Sequence, residues 1–361
     1  MKIKKLGIII MMLTAFTLVG CSKTSNAPKE NDSTSETKEP SEGVDDTENN
    51  QAEESADVTY PITIQHAFGE TIIEEKPNNI VSIAWGNQDV PLALGIVPVG
   101  VSQANYGIAE DENLLPWTAE KFSELGVDSP NVFKDTDGLD YEAISDAKPD
   151  VILASYSGIT QEEYDLLSQI APVVAYPTAA YQTTWREQIL LNSKGMGLET
   201  EGEELVADLD ELISDKTAQY PQFQDKTAAF FYFTATDLGK FYVYLTEDPR
   251  AAYLTDLGLE FPEAIAELGE GTGGFSVELS AENADLLNDI DIIVTYGDEN
   301  LLKALQADPL LGTVPAIKNG AVAIVEDGTP LAASGNPSAL SIPATIDEYL
   351  KIIGEAADKV Q

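Results

Sequence analysis

Asp140-Tyr141-Glu142-Ala143-Ile144-Ser145-Asp146-Ala147-Lys148-Pro149-Asp150-Val151-Ile152-Leu153-Ala154 sets a helix and a buried strand side by side. Asp140 supplies the side-chain oxygen that a helix N-cap needs, and Tyr141–Ala147 follows with helical spacing. Val151–Ala154 is a continuous apolar run of strand length. Downstream, Tyr164–Ile170 is again helical and Val173–Tyr176 returns to strand. Strand, helix, strand in this order predicts an α/β fold, a mostly parallel sheet with helices on both faces.

Outward from this unit the same alternation holds. Ile62–Gln65 and Thr71–Ile73 read as a short hairpin with Phe68-Gly69-Glu70 near its turn. Ile80–Ala84 is a β-rich run after Pro77, Asp89–Leu94 is helical and Val97–Val101 is a further strand. In the second half Thr227–Thr234, Phe241–Leu245, Ile290–Thr295 and Ala321–Val325 read as strands. Ala251–Leu257, Ala281–Leu287, Leu301–Ala307 and Pro343–Ile353 read as helices among them. Between the halves, Trp185–Lys194 and Gly202–Tyr220 have helical spacing, with Leu205, Leu209, Leu212 and Ile213 at i, i+4, i+7 and i+8. The expected organisation is an N-terminal lobe over 59–183, a connecting helix over 184–200 and a C-terminal lobe over 201–361, with a cleft between the lobes.

The N-terminal segment is of a different kind. Lys2, Lys4 and Lys5 precede an uncharged apolar run from Leu6 to Val19, shorter than the roughly 20 residues of a membrane-spanning helix. Residues 1–20 therefore read as a signal peptide, and Leu18-Val19-Gly20-Cys21 resembles the lipobox of bacterial lipoproteins. That resemblance implies cleavage before Cys21, lipid on its thiol and an extracytoplasmic protein anchored to the cell membrane. Cys21 is the only cysteine, which excludes a disulfide or a cysteine metal cluster. Residues 21–58 lack apolar periodicity and read as a disordered acidic tether, about 30 Å in r.m.s. reach. The body beyond it holds 14 basic residues against 51 acidic ones. That balance excludes nucleic acid as a partner, since phosphate contacts dominate such binding, and argues against attraction to an anionic membrane surface.

Several segments resemble the iron–siderophore substrate-binding proteins of ABC importers, whose relatives take ferrichrome, ferric citrate, haem or cobalamin. Lys76-Pro77-Asn78-Asn79-Ile80-Val81-Ser82-Ile83 is similar to that family's opening strand, and Ala93-Leu94-Gly95-Ile96-Val97-Pro98-Val99-Gly100-Val101 to its next turn and strand. Leu139–Ile144 leading to Lys148–Leu153, and Gln169-Ile170-Ala171-Pro172-Val173-Val174, continue the likeness in order. Asp248-Pro249-Arg250 and Leu279-Ser280-Ala281-Glu282-Asn283-Ala284 carry it into the second half. The resemblance runs from about Ile62 to Ile353. It implies two Rossmann-like lobes joined by a single long helix, a ferric siderophore as transported ligand, no cofactor, and an ABC permease as partner.

A ferric siderophore calls for aromatic walls and a few fixed polar groups, on loops that follow parallel strands. The first half offers Trp85, Asn87, Tyr106, Trp117, Tyr156, Ser157, Tyr181, Trp185 and Arg186 at such positions. The second offers Tyr232, Tyr242, Tyr244, Phe275 and Tyr296, with Tyr242 and Tyr244 on one strand face, while Phe231 and Phe233 alternate with Tyr232 as core. Arg186 and Arg250 are the only arginines; the resemblance implies siderophore contact for Arg186, and Arg250 reads as a helix-start or interface residue. Few cations in an acidic body favour a neutral or positive ferric hydroxamate over a triply negative catecholate. The resemblance further implies one permease-docking glutamate per lobe, Glu142 and Glu282. Glu142 stands eight residues before Asp150 and Glu282 nine before Asp291, which leaves Glu278 as a rival.

Other readings fit less well. The only histidine, His66, lies beside the hairpin turn, so neither a direct metal site nor a histidine general base is expected. The G-x-S-x-G and H-E-x-x-H signatures of enzymes are absent. Haem capture through a tyrosine such as Tyr156 stays open, as do cobalamin binding and a non-catalytic adhesion lipoprotein. Asp135-x-Asp137-Gly138 reads as a turn before Asp140 and lacks the later ligands of a calcium loop.

Overall fold

The computed structural model describes residues 58–110, 112–135 and 137–361. The expected signal peptide, the lipidated Cys21 and the tether up to residue 57 lie outside the described residues. The strands, in chain order, are β1 (Ile62–His66), β2 (Gly69–Ile73), β3 (Ile80–Ser82), β4 (Gly100–Ser102), β5 (Val132–Phe133) and β6 (Val151–Ala154). They continue as β7 (Val173–Ala175), β8 (Ala228–Thr234), β9 (Asp237–Tyr244), β10 (Ser276–Ser280), β11 (Ile292–Gly297) and β12 (Val322–Glu326).

The first lobe is a five-stranded sheet in the order β5-β4-β3-β6-β7, parallel throughout. The second has the order β10-β9-β8-β11-β12, with β8, β11 and β12 parallel and β9 and β10 antiparallel. In each sheet the strand order reverses beside the first strand, between β3 and β6 and between β8 and β11. Chains leaving such a pair run apart and open a crevice at the carboxyl ends of the strands. The two lobes also begin alike. The Asp150 carboxylate accepts the backbone N–H of Asn78 and of Asn79, each at 2.9 Å, just before β3. The Asp291 carboxylate accepts that of Thr227 at 3.0 Å just before β8.

Local chemistry explains the elements. Asp140 accepts from the backbone N–H of Ala143 and starts the helix Tyr141–Asp146, as its sequence predicts. Thr184 and Glu187 form a reciprocal capping box at the start of Trp185–Gly195. β4 begins at Gly100, later than the predicted Val97, because Pro98 has no N–H to give a strand ladder. His66 sits as expected in the hairpin, with Nε2 2.9 Å from the Thr71 hydroxyl and Nδ1 accepting from the Phe68 N–H.

The connection between the lobes differs from the single helix expected over 184–200. Trp185–Gly195 ends at Met196, Gly197 adopts φ +70°, and a second helix of 19 residues runs from Glu199 to Thr217. A left-handed residue cannot continue a helix, so the chain turns there. The two helices then pack closely where Gly202 meets Ser193; a methyl group at Gly202 would overlap that side chain.

These helices lie inside one apolar cluster that reaches both lobes. It joins Ile80, Leu153 and Val174 to Ile189, Leu209 and Ile213, and these to Phe230, Val294, Ile346 and Tyr349. Each lobe keeps a further core on its other face, around Ile152 and Val173 in the first and around Phe231 and Ile293 in the second. Fully burying a Leu, Ile or Phe side chain contributes about 1.5–3 kcal/mol, so the shared cluster resists separation of the lobes. Ile189→Ala, at a fully buried centre of the cluster, should cost about 2–5 kcal/mol in urea unfolding of the full chain. A loss under about 1 kcal/mol would contradict this picture of the shared core.

Candidate functional site

The loops after β3 and β6 are tied together by one buried side chain. The Asn87 amide donates to the carbonyls of Ile83 at 2.7 Å and Tyr156 at 2.9 Å. Its oxygen accepts from the Ser155 hydroxyl, the Tyr156 N–H, Gln188 and Asn192, between 3.0 and 3.3 Å. A fully buried and fully engaged amide has nothing left for a ligand, so Asn87 is a positioning residue and not the expected contact. It fixes Trp85 and Tyr156 in place. Ser157 is likewise buried and donates to the Ala154 carbonyl at 2.8 Å. Two non-glycine residues here hold left-handed backbone, Ala84 at φ 62° and Tyr181 at φ 62°. Such strain persists only where the surroundings over-determine it.

Between the lobes lies a cleft of about 480 Å³. The first lobe contributes Trp85, Tyr106, Tyr156 and Tyr181; the second contributes Tyr232, Tyr244, Tyr296, Arg250 and Asp327. Tyr232 and Tyr296 stand at the carboxyl ends of β8 and β11, and Trp85 and Tyr156 just beyond those of β3 and β6. Both reversals of strand order therefore open into one space. Tyr181 lies over Gly158, where a methyl group would overlap its ring. Tyr106 donates to Asp327 at 2.5 Å and accepts the Gly328 N–H at 3.0 Å, which ties the lobes at the edge of the cleft. Burial, then the bond to Asp327, pushes its hydroxyl up to about 12.

Arg250 is the cation of the cleft. Its Nε donates to Asp248 Oδ1 at 2.8 Å and Nη2 to Asp248 Oδ2 at 2.6 Å, while its plane covers the Tyr244 ring at 4.1 Å. Burial opposes its charge, but the hydrogen bonds and charge of Asp248 more than offset that and raise its pKa. Asp248 also caps the helix Pro249–Asp256 by accepting the Arg250 N–H. The guanidinium is thus fixed at a helix start, as its sequence position indicates, and it faces the cleft as well.

Several expected contacts lie elsewhere. Arg186 pairs with Asp210 and, at 2.8 Å, with Asp256, and lies over the Trp185 ring at 4.2 Å. Trp185 is buried with its Nε1 on Asp256 at 2.9 Å. Both line a separate hollow with Pro249 and Thr255, so two carboxylates distant in sequence hold Arg186 away from the cleft. Trp117 is buried with Nε1 on Asp89 at 3.2 Å. Tyr242 shares a strand face with Tyr244, but two residues of strand rise carry it past the cleft to Glu278, whose carboxylate accepts from it and from Lys240. Phe275 stacks behind Tyr244, with ring centroids 6.5 Å apart. Glu142 and Glu282 are exposed in the first turns of their helices.

Asp89 forms a second tie between the lobes. It is 1% exposed and accepts from Trp117, from Thr118 at 2.8 Å, from Gln88 at 3.2 Å and from Ser338 of the other lobe. Among the described residues, no group of histidine, cysteine and carboxylate ligands stands ready for a metal ion.

Two α/β lobes with a shared core, held around an aromatic cleft, make a solute-binding protein. The chain belongs to the periplasmic binding protein family, whose pattern matches residues 80–327. It is similar to PiaA of Streptococcus pneumoniae TIGR4, solved in complex with ferrichrome, at 52% identity and TM-score 0.80, covering 83% of this chain and 100% of that one. It is 26% identical over 299 residues to the probable siderophore-binding lipoprotein YfiY of Bacillus subtilis, covering 80% of this chain and 87% of that protein. It is also 26% identical over 278 residues to the ferric enterobactin-binding periplasmic protein FepB of Escherichia coli O6:H1, covering 72% and 82%.

Burial lifts the Asp89 carboxyl to about 6, against the opposing bonds from Ser338, Thr118, Trp117 and Gln88. Its contribution to stability is fully present below the ordinary carboxylate value of about 4 and is lost as pH rises through 6. Asp89→Asn cannot ionise, so it should gain stability relative to wild type as pH rises from about 4 to about 6.5 in urea unfolding. A difference that stays constant over that range would contradict this.

Proposed function

We propose that this protein is the substrate-binding lipoprotein of an ABC importer, holding a ferric hydroxamate siderophore in the inter-lobe cleft and delivering it to the permease. The observation that carries the reading is the make-up of the cleft: six tyrosines and Trp85 around one guanidinium. The aromatic walls suit the apolar ring of such a ligand. Arg250, with Nη1 not engaged by Asp248, can donate to the oxygens around the iron. Ferrichrome, bound by PiaA, is a neutral compound of this class.

Charge separates the hydroxamates from the catecholates. Arg250 and Asp327 offset each other in the lining, and Asp248 stands behind the arginine. A triply negative tris-catecholate would enter without a cluster of cations to meet it, inside a strongly acidic body. Haem ligation through Tyr156 is disfavoured, since burial, then the charge of Asp248, raises its pKa and opposes the phenolate that iron needs. Lipid on Cys21 would keep the protein at the membrane. Glu142 and Glu282 would meet the permease, since Glu278 is already paired with Lys240 at 3.0 Å.

Titrating the full chain with ferrichrome and with ferric enterobactin, followed by intrinsic fluorescence, tests the reading. Ferrichrome should bind more tightly, and a tighter response to the catecholate would overturn the assignment. Arg250→Lys, which keeps the charge and loses the planar fork, should weaken ferrichrome binding about tenfold or more. Arg186→Lys should leave it unchanged.

A further inference from the structure

The first lobe holds a second crevice, of about 290 Å³, beside the main cleft. Trp85, Asn105 and Tyr181 line both spaces, so whatever occupies the cleft can extend into the crevice. Among the described residues its charged lining is of one sign: Asp135 and Glu163, without a lysine or arginine. Asp135 is held in place, accepting from the Ser102 hydroxyl and from the Gln103 N–H at 3.3 Å. Burial raises its pKa against those bonds, and a cation placed beside it would favour the ionised form.

An independent observation concerns Gln88, which is 7% exposed and lines the same crevice. Its Nε2 donates to Asp89 at 3.2 Å, which leaves Oε1 buried as an acceptor without a partner. Buried polar groups are normally satisfied, so an unpaired acceptor on a residue that lines the crevice marks a place for a donor from outside the chain. Two carboxylates with no cation beside them in the crevice, next to an acceptor without a partner, describe the surroundings of an ammonium group, which brings three N–H donors and one positive charge.

We propose that this crevice is a specificity subsite for a primary ammonium group carried on the periphery of the ferric siderophore. The inference rests on the siderophore reading of the cleft. It narrows the substrate class to trihydroxamates for which an amine-bearing arm adds affinity.

The test compares three probes on the full chain by isothermal titration: ferrioxamine B, which ends in an ammonium, its N-acetyl derivative, which is neutral there, and ferrichrome. Wild type should bind ferrioxamine B about tenfold more tightly than the acetylated form. Asp135→Asn should remove most of that preference and leave ferrichrome affinity within about twofold, and Glu163→Gln should reduce the preference in part. Should either variant fold poorly, raising the salt concentration on wild type replaces it, and the preference should shrink. Equal affinity for the two ferrioxamines in wild type, with ferrichrome still bound, would overturn the subsite and leave the main reading standing. Failure of all three probes to bind would overturn the siderophore reading and this inference with it.

Discussion

The geometry of the cleft depends on the apolar cluster that runs without interruption from the first lobe through the two connecting helices into the second. Swinging the lobes apart would tear that cluster, because Leu153, Ile189 and Phe230 belong to one packed body. Polar ties act beside it: Asp89 to Ser338 behind the cleft and Tyr106 to Asp327 at its edge. The cleft is therefore largely formed before a ligand arrives. A preformed site spends little of its interaction energy on ordering its own walls.

Within that frame the electrostatics are simple. One guanidinium is fixed by Asp248 and laid on Tyr244, in a protein whose surface is overwhelmingly acidic. The acidic surface discourages anions at long range, and the cleft arginine is already paired with Asp248 at short range. What such a site rewards is a neutral object with oxygen acceptors and apolar flanks. The left-handed backbone at Ala84 lies beside the Ile83 carbonyl that Asn87 holds, and that at Tyr181 is tied by its N–H to the Ser157 carbonyl at 3.1 Å.

Much of the fold was legible in the sequence because periodicity and capping are local. Asp140 as an N-cap, the hairpin around Gly69 and the runs at Val151 and Val173 depend on neighbours only a few residues away. The two helical patterns Trp185–Lys194 and Gly202–Tyr220 were legible too, but the connecting helix was drawn past Gly197 to residue 200 because a glycine does not announce its φ. The aromatic positions Trp85, Tyr106, Tyr156, Tyr181, Tyr232, Tyr244 and Tyr296 were legible, since each follows or ends a strand. Which of the two arginines lines the cleft was not. Arg186 is captured by Asp210 and Asp256, 24 and 70 residues away, and pairings at that range leave no local trace. Asn87 resembled a contact because it sits beside Trp85 in the chain, while its partners at Ser155, Gln188 and Asn192 are visible only in three dimensions. The Asp135 turn, read as a simple entry to the Asp140 helix, proved to be part of a cavity wall.

The most direct measurement is a crystal structure of the full chain with ferrichrome, with the iron located by its anomalous scattering. The account requires the iron between the lobes, within the ring formed by Trp85, Tyr156, Tyr244 and Arg250, and lobes that keep their relative orientation. Iron bound beside Arg186, or lobes rotated apart so that the cluster around Ile189 is split, would contradict it.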